Sequence, residues 1–210
     1  MVFDFDGTLA DTVPIIVRSF NKSLAQNNFD TFPDEQISSL IGLPSEEMFK
    51  TILNNPGDNE ITSLIEKYRE NYNLETETNL KMFTGTLDIL KNLKNSGFKL
   101  SIATGKLTAE VIRNLTSLQI LDYFDLVLGF DSVSKPKPDG QIVSKTLTEL
   151  NFQASEAIMI GDSHLDIQTG KNAKISTIGV TWGISSFDRM LEEKPDFIVE
   201  SPSELLEILT

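Results

Sequence analysis

Apolar residues change their spacing several times along the chain, and those changes mark out its elements. Residues 1–5 carry Met1, Val2, Phe3 and Phe5 and predict a short buried strand that ends at a Gly7 turn. Residues 14–80 predict an almost wholly helical stretch. Val13, Ile16, Val17, Phe20 and Leu24 recur at helical spacing, as do Ile61, Leu64, Ile65, Tyr68 and Tyr72. Pro33, Gly42-Leu43-Pro44 and Asn54-Asn55-Pro56-Gly57 break that stretch into pieces. From about Lys81 the pattern turns to short apolar strands alternating with amphipathic helices. Leu87, Leu90 and Leu93 form one helix face, closed by a capping Gly97, and Val111, Ile112, Leu115 and Leu118 form another. Strands are predicted at Phe98–Ala103, Leu126–Leu128, Ala157–Ile160, Ser176–Val180 and Phe197–Val199. Such alternation implies an α/β fold, a parallel sheet with helices on both faces. The simplest organisation is an α/β core of residues 1–13 and 81–210, interrupted after its first strand by a helical unit of residues 14–80.

Composition narrows what this fold can do. The chain of 210 residues is 40% apolar and 23% charged, as expected of an ordinary globular protein. No apolar run is long enough to cross a bilayer, and the amino terminus lacks the basic and apolar regions of a signal peptide, so a cytoplasmic location is expected. Cysteine is absent, which removes disulfide scaffolds, thiolate zinc sites and cysteine nucleophiles. A formal net charge of −13 disfavours nucleic acid and anionic membranes, since the protein's field repels phosphate polyanions. A small phosphorylated metabolite can still bind where local cations overcome that field.

Ligands in open α/β sheets bind beyond the carboxyl ends of the strands, and four polar clusters fall there. Asp4 and Asp6, two apart at a strand end, can face the same side, with Gly7 and Thr8 completing the turn. A carboxylate pair of this kind needs a cation when buried, and magnesium suits its oxygen ligands. Thr104 ends a strand, and with Gly105 it could hold phosphate oxygens at a helix start, although such a Thr taken alone is more often a helix cap than a ligand. Lys135 and Lys137 flank Pro136. The rigid backbone would aim one of them inward, and Lys135 is the choice for the counter-charge. Gly161-Asp162 closes a strand, while Ser163 and Asp166 have capping-box spacing; Asp162 is therefore the functional candidate and Asp166 a supporting group. His164 is the only histidine and sits beside Ser163, so a Ser-His triad cannot be assembled.

Together and in this order, the four clusters resemble those of the haloacid dehalogenase superfamily of phosphohydrolases. The helical unit looks like that superfamily's small cap domain on a Rossmann-like core. Asp11-Thr12, Gly42-Leu43-Pro44 and Thr181-Trp182-Gly183 are similar to its phosphoglycolate phosphatase-like branch. The resemblance implies that Asp4 attacks phosphorus to form an aspartyl phosphate and that Asp6 serves as acid and then base. It implies that Asp4, the backbone carbonyl of Asp6, and Asp162 hold Mg2+, and that Thr104, Gly105 and Lys135 bind the phosphoryl oxygens. The expected substrate is a small, phosphoglycolate-like metabolite, handled by a monomer or homodimer. Alternatives are a sugar phosphomutase of the β-phosphoglucomutase type, a pyrophosphatase or nucleotidase, or a non-enzymatic binding protein. Mutases of that type usually carry Glu where this chain has Gly161, which favours hydrolysis. Three departures stand out: a very short stretch before Asp4, leaving room for a missing upstream segment; Gly105 where relatives often have Asn; and Phe83-Thr84-Gly85 in place of an aromatic-Pro-Gly turn.

Overall fold

The alternating half of the chain folds as its spacing predicts. The computed structural model describes residues 1–54 and 56–209, so Asn55 of the Asn54–Gly57 break lies outside the described residues. Six strands form one sheet: β1 (Val2–Phe3), β2 (Ser101–Ala103), β3 (Leu126–Leu128), β4 (Ile158–Gly161), β5 (Ser176–Val180) and β6 (Phe197–Val199). All neighbours are parallel, in the order β3-β2-β1-β4-β5-β6. The side-chain period of two shows directly in the packing. Phe3, Ile102 and Ile160 enter one apolar cluster, and Val2, Ala103 and Met159 enter another on the opposite face. Helices α5 (Thr86–Asn95), α6 (Thr108–Ser117) and α10 (Pro202–Leu209) supply Leu90, Leu93, Val111, Leu115 and Leu205 to the first cluster. Helix α7 (Gln141–Leu150) supplies Ile142 and Val143 to the second. On the same side, α8 (His164–Asn172) lies so close that a Cβ on Gly170 would meet Thr177 and Met159. Each of these large side chains contributes about 1.5–3 kcal/mol on burial.

Two strands are shorter than their apolar runs suggest. The first keeps only Val2–Phe3, because the chain leaves the sheet to turn: Leu9 N and Ala10 N both donate to Phe5 O, and Gly7 takes φ +76°. The second starts at Ser101 and not Phe98, since Phe98 N donates back to Leu93 O and completes the cap of α5 around Gly97 at φ +83°.

Between β1 and α5 lie four helices: α1 (Val13–Gln26), α2 (Asp34–Ser38), α3 (Ser45–Ile52) and α4 (Asp58–Asn79). Pro33 and Pro44 immediately precede α2 and α3, where a missing amide costs nothing. The four helices bury an apolar cluster of their own. Phe20 stacks on Phe49 at 3.9 Å between centroids, with Tyr68 edge-on to both at 6.2 Å. Two adjacent segments carry the chain into and out of these helices. They are tied by Asp11 N to Lys81 O at 2.9 Å and a Lys81–Asp11 ion pair at 3.0 Å.

Candidate active site

Strand order reverses its direction at β1, whose neighbours are β2 and β4, so the loops after these three strands meet at one point. That is the position at which open α/β sheets bind ligands. Asp4 follows β1, and its amide still donates to Ile160 O. Thr104 follows β2 and is almost wholly buried, while Asp162 follows β4 and is fully buried. Asp4, Asp162 and Asp166 bring carboxylate oxygens within 4.8 Å of one another.

Lys137, not Lys135, is the cation among them. Its Nζ donates to Asp4 Oδ1 at 2.7 Å and to Asp166 Oδ1 at 2.6 Å, with its side chain only 1% exposed. The expectation for Lys135 is corrected by the local backbone. The amides of Ser134 and Lys135 donate to Gln141 Oε1 at the surface, leaving Lys135 73% exposed with its Nζ 3.9 Å from Asp139. Proline rigidity did aim one lysine inward, but Gln141 at the start of α7 decides which.

The remaining carboxylates are held just as firmly. Asp166 Oδ2 accepts from Ser163 N at 3.1 Å and Ser163 Oγ at 2.6 Å, the capping box its spacing predicts, and its Oδ1 is taken by Lys137. Asp162 accepts from Thr8 Oγ1 and from Ile184 N, both at 2.8 Å. Gly7 and Gly183 make this fit possible, since a Cβ on either would stand within 2.2 Å of Asp162 Oδ2. Trp182 Nε1 donates to Thr8 O at 3.0 Å and braces the same turn. Gly161 is likewise required, because a Cβ there would meet Asp166 at 2.3 Å.

Burial pushes the Asp4 carboxyl up to about 7, with Lys137 pulling it down and Asp166 and Asp6 adding to the rise. Burial also raises Asp162 well above the usual carboxylate range, helped by Asp166 and Asp4. Lys137 feels burial in the opposite sense, but Asp166 and Asp4 outweigh it and hold the ammonium above its ordinary value. Asp4 and Asp166 thus share one lysine, and among the described residues no cation stands within 4 Å of Asp162. That uncompensated charge, on hard oxygen donors, fits a divalent cation.

Asp6 stands apart from this cluster. Its Oδ1 accepts from Thr12 Oγ1 at 2.5 Å and lies 3.2 Å from the Nζ of Lys106, a lysine only 7% exposed. Asp6 lines a cleft with Gly105, Lys106 and Glu110 from the sheet side, Ile16, Met48, Tyr68 and Arg69 from the helices, and Gly42 from the turn between α2 and α3. Over this cleft the Gly42 turn presses on Gly105, where a Cβ would lie 2.1 Å from Gly42 O. A side chain at 105 would hold that turn away. Among the described residues the Thr104 hydroxyl accepts only a long contact, from Lys106 N at 3.4 Å, and His164 is exposed at the start of α8. Lys106, Thr12 and the Ile184 amide are absent from the sequence-based set. All three act through space, and no local spacing marks them.

The haloacid dehalogenase-like hydrolase family matches residues 1–180. Pyrophosphatase PpaX of Listeria innocua is 36% identical over 211 aligned positions, covering 100% of this chain and 95% of that protein. Among solved structures, the haloacid dehalogenase-like family protein SP0104 of Streptococcus pneumoniae superposes with a TM-score of 0.85 at 26% identity, covering 100% of this chain and 97% of that one. A predicted phosphoglycolate phosphatase of Haemophilus somnus gives a TM-score of 0.89 at 22% identity, over 100% and 96% of the two chains, a likeness of fold.

Proposed function

Because the chain belongs to the haloacid dehalogenase-like hydrolase family and is a phosphatase, we propose that it hydrolyses a small phosphorylated metabolite, with Mg2+, through a phosphoryl group carried on Asp4. The observation that carries this reading is the buried Asp4–Lys137–Asp166–Asp162 cluster with Asp6 beside it on the cleft. Asp4 and Asp162 would hold the ion with the backbone carbonyl of Asp6, and Asp166 would stand behind them. Magnesium supplies positive charge that lets an anionic nucleophile meet an anionic ester.

The residues of the chain divide the work. Asp4 bonds to phosphorus while the bond to the leaving oxygen breaks, its electron pair going to that oxygen, which takes a proton from Asp6. Water then bonds to phosphorus and gives its proton to Asp6, and the bond to Asp4 breaks with the pair returning to the carboxylate. Lys137, Thr104 and the Gly105 amide would bind phosphoryl oxygens. Residues 14–80 act as a cap over the cleft, the Gly42 turn forming its inner edge and excluding water.

The similarity to a pyrophosphatase at 36% identity puts pyrophosphate first among the candidate substrates, with phosphoglycolate next. A sugar phosphomutase is disfavoured by Gly161, since its Cβ position is filled by Asp166 and has no room for the Glu of that group. The test is a phosphate-release screen with Mg2+ over pyrophosphate, phosphoglycolate, sugar phosphates and nucleotides, together with Asp4→Asn. Turnover of a small substrate, abolished by Asp4→Asn in a folded protein, is expected. Isomerisation without phosphate release, or full activity in Asp4→Asn, would sink the proposal.

A further inference from the structure

Asp6 has to hand over and take back a proton in a fixed direction, and groups outside the acidic cluster decide where its carboxylate points. Thr12 Oγ1 at 2.5 Å and Lys106 Nζ at 3.2 Å both meet the same oxygen, Oδ1. Among the described residues no donor binds Oδ2, and Asp6 lines the cleft. Lys106 itself is clamped from behind. Its Nζ sits 4.0 Å from the centroid of the Tyr72 ring on α4, and Glu110 Oε1 is a further 4.0 Å neighbour. Tyr72 is fixed in turn, its hydroxyl accepting from Asn114 Nδ2 at 2.8 Å inside the protein. Burial works against the charge on Lys106, but Asp6, Tyr72 and Glu110 outweigh it. A charged ammonium is thereby held at one place, with Asp6 as its nearest carboxylate.

We propose that Lys106 is a positioning residue of the phosphatase: by fixing Oδ1 of Asp6 together with Thr12, it leaves Oδ2 as the oxygen that exchanges the proton with the leaving group and then with water. The inference rests on the reading of Asp6 as acid and base, and adds how that carboxyl is aimed. The same oxygen serves both half-reactions. In the first its proton goes to the leaving oxygen as the phosphorus–oxygen bond breaks. In the second it accepts the proton of the attacking water, so a single orientation suffices for the cycle. A purely structural ion pair would tie Lys106 to the fold without making any one substrate more dependent on it than another.

That difference sets the experiment. kcat/KM reports the steps up to phosphoryl transfer, and it is measured with Mg2+ for two esters at the extremes of leaving-group acidity. One is p-nitrophenyl phosphate, whose phenolate departs without a proton, and the other glycerol 1-phosphate, whose alkoxide needs one. Lys106→Met and Thr12→Val are each expected to lose about a hundredfold on the alkyl ester, within the range ascribed to general acids, and less than about threefold on the aryl ester. Lys106→Arg should recover the alkyl rate to within about tenfold. Thr12→Val, a swap of nearly equal size, keeps the test decisive if Lys106→Met does not fold. An equal loss on both esters, or no loss on either, overturns the positioning role while hydrolysis itself stands. A wild-type protein that hydrolyses no phosphate compound with Mg2+ overturns the phosphatase mechanism instead, and the positioning role with it.

Discussion

Replacing Lys137 by Met removes the one ammonium shared by Asp4 and Asp166. Both contacts are short, 2.7 and 2.6 Å, between side chains that are at most 4% exposed. Taking away one partner of such a buried arrangement typically costs about 3–5 kcal/mol, most of it from the charge left behind. Asp4 can relieve part of this by keeping its proton, since burial already holds it up to about 7. The loss should therefore be near about 3 kcal/mol at pH 6 and larger at pH 8, where the carboxylate stands bare. For a chain of this size, about 3 kcal/mol lowers Tm by roughly 6–12 °C. Lys135→Met is the control, because Lys135 is 73% exposed and only 3.9 Å from Asp139; it should change stability by less than about 0.5 kcal/mol. Thermal melts of the metal-free protein at both pH values, paired with initial rates of phosphate release, read the two effects. Lys137→Met should also lose at least about a hundredfold in kcat, as when a fixed electrostatic donor is removed. A Lys137→Met protein melting within about 2 °C of wild type, or a Lys135→Met protein that loses as much activity, would refute the assignment.

Two further outcomes follow from contacts away from Lys137. Gly105→Ala would put a Cβ 2.1 Å from Gly42 O, so the turn over the cleft must move; KM is expected to rise at least about tenfold with Tm little changed, and an unaltered KM would contradict a role for that turn. Asp125 is pulled up by burial, yet Lys94, Lys99 and the Leu100 amide hold it well below the usual carboxylate range. Its contribution of about 1–2 kcal/mol is fully present above its unfolded value of 3.8 and is lost gradually below that, vanishing only once the folded carboxylate is itself protonated. Asp125→Asn should thus be less stable than wild type at pH 7, with the gap narrowing steadily as pH falls below 3.8, by denaturant titration; a gap as wide at pH 2.5 as at pH 7 would count against the ion pairs.

How far the sequence reaches is set by how local each cause is. The sheet could be read from alternation because Val2 and Phe3, or Met159 and Ile160, report opposite faces through their own spacing. Asp4, Asp162 and the Ser163–Asp166 box were legible because Asp4 and Asp162 sit at strand ends, Asp162 directly after Gly161, and Ser163 and Asp166 lie at capping distance. Lys135 against Lys137 was not decidable locally. Both flank the same proline, and the choice falls to the Gln141 side chain binding the Ser134 and Lys135 amides. Lys106 is more remote still: its partners Asp6 and Tyr72 come from other parts of the chain, joined only when α4 packs beside α6. Spacing rules describe one element at a time, and a site closed by two layers escapes them.

The charge of the site connects these observations to substrate binding. Among the described residues, the cations within 4 Å of Asp4, Asp6, Asp162 and Asp166 are Lys106 and Lys137, four carboxyl groups to two ammonium groups in a protein of net charge −13. A phosphate dianion should not enter such a field without a divalent cation. Between 3.8 and about 7 the folded protein holds a proton on Asp4 that the unfolded chain has released. Metal-free stability therefore falls as pH rises through that window, by at most about 4 kcal/mol. Mg2+ competes with that proton, so the stabilisation it confers should grow as pH rises from 5.5 to 8. Thermal melts with Mg2+ or EDTA at the two pH values measure this, and calorimetric titration with inorganic phosphate measures the coupled anion site. Stabilisation by Mg2+ that is equal or greater at pH 5.5, or phosphate binding undiminished in EDTA, would show that the acidic cluster is not where cation and anion meet.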